Sequence, residues 1–243
     1  MPDQPIKDLP VNLPTDTTAN VYSATAWKLW KLLDGATQAI KPFAVIVNAN
    51  AAKDAVAITV VALPFAIANG VVLDFGGVKA TLTAAADVGA TSLTVSALTA
   101  KIDKNTPATA PGTMDEVPLA AQLQPSMTNT EESIPIFGRI TPIRVTNGKD
   151  FTMTVSTVAG LDNPVVSDMV DKGDMISPAN RGRFILEAAD GYAILVTVNI
   201  GHKLAGQPGQ SQRHEFDLNL SGKMFKTNRL VATPVWKEIG VSA

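Results

Sequence analysis

Two stretches decide the fold: Tyr192-Ala-Ile-Leu-Val-Thr-Val-Asn-Ile200 and Arg213-His-Glu-Phe-Asp-Leu-Asn-Leu-Ser221. Both place apolar residues at alternate positions, the period of a strand with one face in a core. Between them runs His202-Lys-Leu-Ala-Gly-Gln-Pro-Gly-Gln-Ser-Gln212, polar and rich in glycine. The pattern predicts two long antiparallel strands joined by a long loop. In the second strand His214, Phe216, Leu218 and Leu220 face one way, and Arg213, Glu215, Asp217, Asn219 and Ser221 the other.

The same period extends outward. Asp150 to Thr157 alternates, with Phe151, Met153 and Val155 on one face, and Asn147-Gly148 before it predicts a hairpin turn. Ile136 to Val145 reads as a strand bent or at an edge at Pro142, and Phe184 to Glu187 as another that turns at Asp190-Gly191. A short helix is expected around Val165 to Val170, opened by Pro164. Leu230 to Ile239 adds a last edge strand marked by Pro234.

Toward the N-terminus the signals change. Residues 1–20 carry Pro2, Pro5, Pro10 and Pro14 and read as an extended arm, either a tail or a segment that orders on a neighbouring subunit. Ser23 to Ile40 is the one strong helical candidate, with Trp27, Trp30 and Leu33 at helical spacing and Gly35 as a stop. Phe43 to Val47 and Val56 to Val61 predict short strands. Ala66 to Ser96 predicts three more, punctuated by Asn69-Gly70, Gly76-Gly77 and Val88-Gly89. Ile102 to Gln124, with Pro107, Pro111, Gly112 and Pro118, reads as a linker. The expected organisation is an arm and helix over 1–42, a small β-module and linker over 43–118, and a β domain over 119–243.

Composition bounds the function. Of 243 residues 46% are hydrophobic and 17% charged, which leaves a weakly charged exterior suited to burial against partners. Lys and Arg number 20 against 22 Asp and Glu, without the basic footprint of a nucleic-acid binder. There is no cysteine, which excludes disulfides, thiolate catalysis and cysteine metal sites. The N-terminus lacks the order of a signal peptide, and the longest apolar stretch, Val56 to Ala68, is too short for a membrane span. We therefore expect synthesis in the cytoplasm and no membrane partner.

No catalytic constellation emerges. His202 and His214 sit at the two ends of the loop and can approach across a hairpin, but lack the carboxylates of a metal site. Asp168, Asp171 and Asp174 recur at helical spacing and read as a solvated acidic face rather than a calcium loop. Glu131-Glu132 has no acid–base partner in sequence, and no serine sits in a nucleophile elbow. Arg181 and Arg183, with Asp168 and Asp171, are candidates for charge pairing between subunits. The expectation is a protein that is not an enzyme and needs no cofactor or metal.

From near Ile136 to the end, the element order resembles that of phage tail tube proteins: a Gly138-Arg139 strand, the Phe151 strand, a helix near Val165, then a long hairpin ending in Phe216-Asp-Leu-Asn-Leu-Ser-Gly222. Gly70 to Ser96 is similar to small β-modules of other phage virion proteins. The resemblance implies a mainly β fold, an antiparallel β-sandwich or half-barrel flanked by a helix. It implies homo-oligomers, six to a ring, stacked into a conduit through which DNA passes unbound. The implied location is the virion tail, with sheath, tape-measure or terminator proteins as further partners. On that reading His202, Lys203, Leu204, Gln207, Gln210 and Gln212 form a loop between rings, and Arg213, Glu215, Asp217 and Asn219 line an acidic lumen. The long N-terminal half departs from the minimal pattern and keeps a capsid decoration (cement) protein as the alternative. A secreted β-sandwich binding module is a third reading, which the 5% aromatic content disfavours.

Overall fold

The computed structural model describes residues 27–119, 123, 125–134, 143–158, 160–205, 213–231 and 234–240. The expected arm, the Gly138-Arg139 strand and the loop residues Gln207, Gln210 and Gln212 lie outside the described residues.

The protein is mainly β, with antiparallel sheets. In chain order the strands are β1 (Lys28–Leu32), β2 (Phe43–Ile46), β3 (Ala57–Thr59), β4 (Val72–Phe75), β5 (Val78–Thr81), β6 (Ser92–Thr94), β7 (Pro107–Ala110), β8 (Met114–Glu116), β9 (Ser126–Ile134) and β10 (Ile143–Thr157). Helix α1 (Pro164–Gly173) follows, then β11 (Arg181–Glu187), β12 (Tyr192–Ala205), β13 (Arg213–Asn228) and β14 (Lys237–Glu238). One eight-stranded sheet runs β8-β1-β11-β12-β13-β10-β9, with β14 added along β13.

The decisive hairpin is β12–β13, in register from Tyr192↔Asn228 to Ala205↔Arg213 and irregular between Val196 and Val198. Its apolar face meets α1. Phe151, Met153, Val155, Phe184, Val196, Val198, Ile200, Phe216 and Leu218 form one core with Val165, Val166 and Met169 of the helix. Asn163 caps α1, its side-chain oxygen accepting from the Val165 and Val166 amides at 3.0 and 3.3 Å, with Pro164 at the first turn.

Three expectations need correction. Lys28–Leu32 is a strand, not part of a helix: it pairs with β11 and β8, and Leu29, Trp30, Lys31 and Leu32 are all buried. A strand covered on both faces loses its alternation and imitates a helical stripe. Asn147-Gly148 is not a turn; β10 runs through it with a register shift between Thr146 and Gly148, a bulge in a long strand. The expected linker contains β7 and β8. The large sheet thus draws β1 from the segment expected to be arm and helix, and β8 from the one expected to be linker.

Residues 43–110 form a separate body inserted between the hydrogen-bonded neighbours β1 and β8. Its three ribbons, β2–β7, β3–β6 and β4–β5, are nested. Their pairing is that of a duplicated unit: residues 43–75 correspond to 78–110, exchanged about a twofold. Phe43↔Ala110 has its counterpart in Phe75↔Val78, and Val45↔Ala108 in Leu73↔Ala80. The bridge Val47↔Val60 matches Leu82↔Val95, and Ala51↔Ile102 matches Ile67↔Ala86. Ile58 lies opposite Leu93, on the axis. Even the left-handed residues correspond: Asp54 (φ 66) with Gly89 (φ 82), and Asn105 (φ 67) with Gly70 (φ 82). Glycine adopts that conformation without penalty, and Asp and Asn are among the few residues that tolerate it.

A neck joins the two bodies. The amides of Thr113 and Met114 donate to the Ile40 carbonyl at 2.7 and 3.2 Å. A Cβ on Gly112 would sit 2.1 Å from that same oxygen, so only glycine fits the crossing.

Candidate functional site

The face of the sheet away from α1 carries the polar half of the alternation. Thr152, Thr154 and Ser156 of β10 lie opposite Asn219, Asp217 and Glu215 of β13. Beside them β12 contributes Asn199, Gly201 and Lys203. Arg181 and Arg183 of β11 pair with Asn199 and Thr197 and so extend the same face. The strand period therefore gathers Arg213, Glu215, Asp217 and Asn219 on one surface, as their alternation predicts.

That surface is not acidic. Arg181, Arg183, Lys203 and Arg213 share it with Glu215 and Asp217, because neighbouring strands supply cations that one strand's sequence does not reveal. Lys203 and Asp217 form an ion pair across the strands. The hydrogen bond from the Lys203 ammonium holds the Asp217 carboxyl below the usual range; burial opposes it, and a 3.1 Å hydrogen bond from the Thr154 hydroxyl adds to the lowering. Asp217 in turn raises Lys203 above the ordinary lysine value.

Three expected loop residues are strand residues. His202, Lys203 and Leu204 pair with Phe216, Glu215 and His214, so the connector begins only after Ala205. The two histidines do meet: His202 Nε2 lies 3.1 Å from His214 Nδ1, and His202 Nδ1 lies 3.0 Å from Asp174 Oδ1 at the C-cap of α1. The rings stack with Phe216, the His202 and Phe216 centroids 5.4 Å apart. This polar chain ties the helix end to the root of the β12–β13 connector.

The acidic triplet on α1 separates. Asp168 forms ion pairs within the chain, with buried Lys31 of β1 and with Lys172 at 3.7 Å. Asp171 is exposed, and Asp174 serves His202. Arg183 donates to the Ala36 carbonyl of the neck at 2.8 Å, while Arg181 is exposed. Lys172 reaches Asp34 at 2.5 Å, and that hydrogen bond is the main reason the Asp34 carboxyl titrates low. Among the described residues no group of three or more His, Asp or Glu is placed to hold a metal ion, and no helix is long and apolar enough to cross a membrane.

Beyond the sheet, β9 and β10 continue as a two-stranded ribbon. β10 pairs with β13 only from Thr152 onward, whereas its pairing with β9 runs back to Ile143↔Ile134. Residues 126–133 are exposed.

A second feature is a charged hub with a cleft. Glu187 of β11, nine-tenths buried, accepts from the Trp30 indole at 3.0 Å and pairs with Lys41 at 2.7 Å and Arg229 at 3.0 Å. The Lys41 ammonium lies 4.5 Å over the Trp30 ring. A cleft of about 430 Å³ opens above the hub, walled by Phe43 and Phe65 of the inserted body and by Pro234 and Trp236 of the C-terminal segment. A second hollow of about 490 Å³, with Lys226, Val235 and Lys237 in its wall, adjoins it at Thr227. The hub escaped sequence reasoning because its members are far apart in the chain. The available signal was a lone glutamate ending an apolar strand.

No family model matches the chain, and no curated protein matches it.

Proposed function

We propose that this chain is a structural virion subunit that self-assembles into stacked rings, six subunits to a ring, as a phage tail tube. The observation that carries the reading is the β9–β10 ribbon. Over residues 126–130 and 148–151 each strand has the other as its one sheet partner among the described residues, and on this reading their outer sides meet a neighbouring subunit. Such an edge is an aggregation hazard in a monomer, and pairing it with a neighbouring subunit removes the hazard. Strand addition gives directional association, and a head-to-tail contact with a fixed rotation closes a ring. The tube-type half-barrel and the location in a virion tail belong to this proposal.

On this reading the polar face of β10, β12 and β13 lines the lumen. Its hydroxyls, amides and the Lys203–Asp217 pair present little uncompensated charge along the central strands, which suits a wall that DNA slides past. Such a wall does not act by net acidic repulsion, because Lys203 and Arg213 share the face with Glu215 and Asp217. The body inserted between β1 and β8 then projects from the tube as decoration. That insertion also supports the second reading, a cement protein that clasps a capsid.

Negative-stain microscopy of the purified full chain, with proline introduced singly at Thr128, Asn129 and Thr130, tests the proposal. Wild type should form rings or striated tubes, and a proline whose lost amide faces outward should abolish them while circular dichroism stays native. Tubes from all three variants would remove the ribbon edge from the interface. A wild-type protein that stays monomeric or trimeric and binds only to capsids would establish the second reading instead.

A further inference from the structure

The two copies in the inserted body differ where one of them faces the large sheet. Phe43 and Phe65 stack edge to face, centroids 5.4 Å apart, in the wall of the cleft. Their counterparts under the duplication are Val78 and Ala100. The repeat therefore folds with small side chains at these positions, and the aromatic pair serves the cleft. Trp236 and Phe65 remain 39% and 38% exposed there. Thr227, 8% exposed, has a buried hydroxyl with no hydrogen-bond partner in the wall that both hollows share.

The groove also carries a charge signal. Lys226 and Lys237 lie directly opposite each other across β13 and β14, and both line the second hollow. Like charges in that position repel, so the arrangement calls for an anionic group between or above them. Lys41 and Arg229 together outweigh Glu187 at the floor of the first. An apolar aromatic groove with surplus positive charge fits an acidic, proline-rich peptide, because proline-rich segments dock on aromatic-lined grooves at low entropic cost.

Such a segment exists in the chain. Residues 2–14 hold Pro2, Pro5, Pro10 and Pro14, apolar Ile6, Leu9, Val11 and Leu13, and two aspartates (Asp3, Asp8) against Lys7. The first described strand begins beside the groove, since Lys28 is the register partner of Glu187. Residues 15–26, at ~3.3 Å each when extended, span up to ~40 Å, enough to turn back across the sheet. We propose that the groove between Trp236, Phe65 and the Lys226–Lys237 pair is the seat of the chain's own segment 2–14. Tethering favours this segment over any free peptide, because a short linker holds it at millimolar effective concentration. The inference stands on the groove and does not rest on the tube reading.

The absence of cysteine allows a clean test on the full chain. Leu9→Cys is combined with Val235→Cys in the groove wall, or with Val88→Cys, an exposed position on the inserted body. After mild oxidation, peptide mapping of a mixture of isotope-labelled and unlabelled protein separates links within a chain from links between chains. The 9–235 link should form within one chain and exceed the 9–88 link by about tenfold, as a tethered, docked segment requires. Adding Lys237→Glu should lower its yield several-fold, and Lys237→Arg should not. A 9–235 link found between labelled and unlabelled chains would assign the groove to a neighbouring copy's segment and overturn the proposal. Equal yields at 235 and 88 would overturn it as well.

Discussion

Truncating Leu63 or Leu98 to alanine removes the same three carbons from two sites that the duplication relates. Both side chains are all but fully buried, at 2% and 1% exposure, in the core of the inserted body. Their backbone roles also correspond: the Leu63 amide donates to Ala90 and the Leu98 amide to Ala55, each at 3.1 Å. Loss of the buried carbons costs about 2.4 kcal/mol at ~0.8 kcal/mol per methylene. The cavity left behind raises the expected total to about 3–5 kcal/mol. If the twofold is real in packing as well as in pairing, the two losses agree to within about 1 kcal/mol. Hydrogen exchange across residues 43–110, read by mass spectrometry, isolates the inserted body, since the tryptophans at 27, 30 and 236 all lie outside it. Where the whole chain unfolds together, each variant should lower Tm by roughly 6–20 °C, from ~2–4 °C per kcal/mol for chains of this size. One variant near neutral beside a partner costing more than about 3 kcal/mol would refute the equivalence of the halves.

Three further outcomes are expected. Glu187→Gln keeps an acceptor for the Trp30 indole but leaves Lys41 and Arg229 without their anion; both are partly exposed and can rehydrate, so the loss in chemical denaturation is about 1–2 kcal/mol rather than the 3–5 of a fully buried pair, and a neutral result would deny the hub a structural role. Asp217 and Asp34 titrate below their ordinary value, so their contribution is complete above the unfolded pKa near 3.9 and disappears as pH falls through the depressed folded values. Asp217→Asn should therefore slightly flatten the acid limb of a Tm-versus-pH curve, the effect being small because the pair is largely exposed, and an unchanged limb would show the pair to be inert. Gly112→Ala drives a Cβ to 2.1 Å from the Ile40 carbonyl, so the neck must open; faster exchange at residues 33–42 and 111–114 is expected, and unchanged protection there would refute the requirement for glycine at the crossing.

What could be read from the sequence followed from burial on one face or two. The polar face of β13 was legible because water on one side and core on the other impose a period of two, and Arg213, Glu215, Asp217 and Asn219 kept their places. β1 was not legible, because Leu29 meets the helix-side core while Trp30 and Leu32 meet the neck side, and a strand without a wet face carries no alternation. The acidity expected of the polar face failed for a related reason. Charge on a sheet is a property of neighbours in space, and Lys203, Arg181 and Arg183 arrive from other strands. The duplication was hidden by its own composition. Its matching positions are mostly Ala, Val, Thr, Leu and Ile, residues that any β-rich chain of this kind repeats by chance, and only pairing in three dimensions makes the correspondence specific.

The duplication also explains how a body of this size can sit between two hydrogen-bonded strands. β1 and β8 are neighbours in the sheet, so whatever links them must leave and return within about one strand spacing, ~4.8 Å. The nested pairing meets that condition, because β2 and β7, the first and last strands of the body, pair with each other and place Phe43 opposite Ala110. To the large sheet the whole insertion is therefore equivalent to a hairpin turn, closed by the Ile40–Thr113 contact. Register in the β1–β8 pair is set by the neck and is independent of what lies beyond it. The body was thus free to change one copy alone, and the aromatic pair at Phe43 and Phe65, absent from the other copy, sits where that copy meets the sheet.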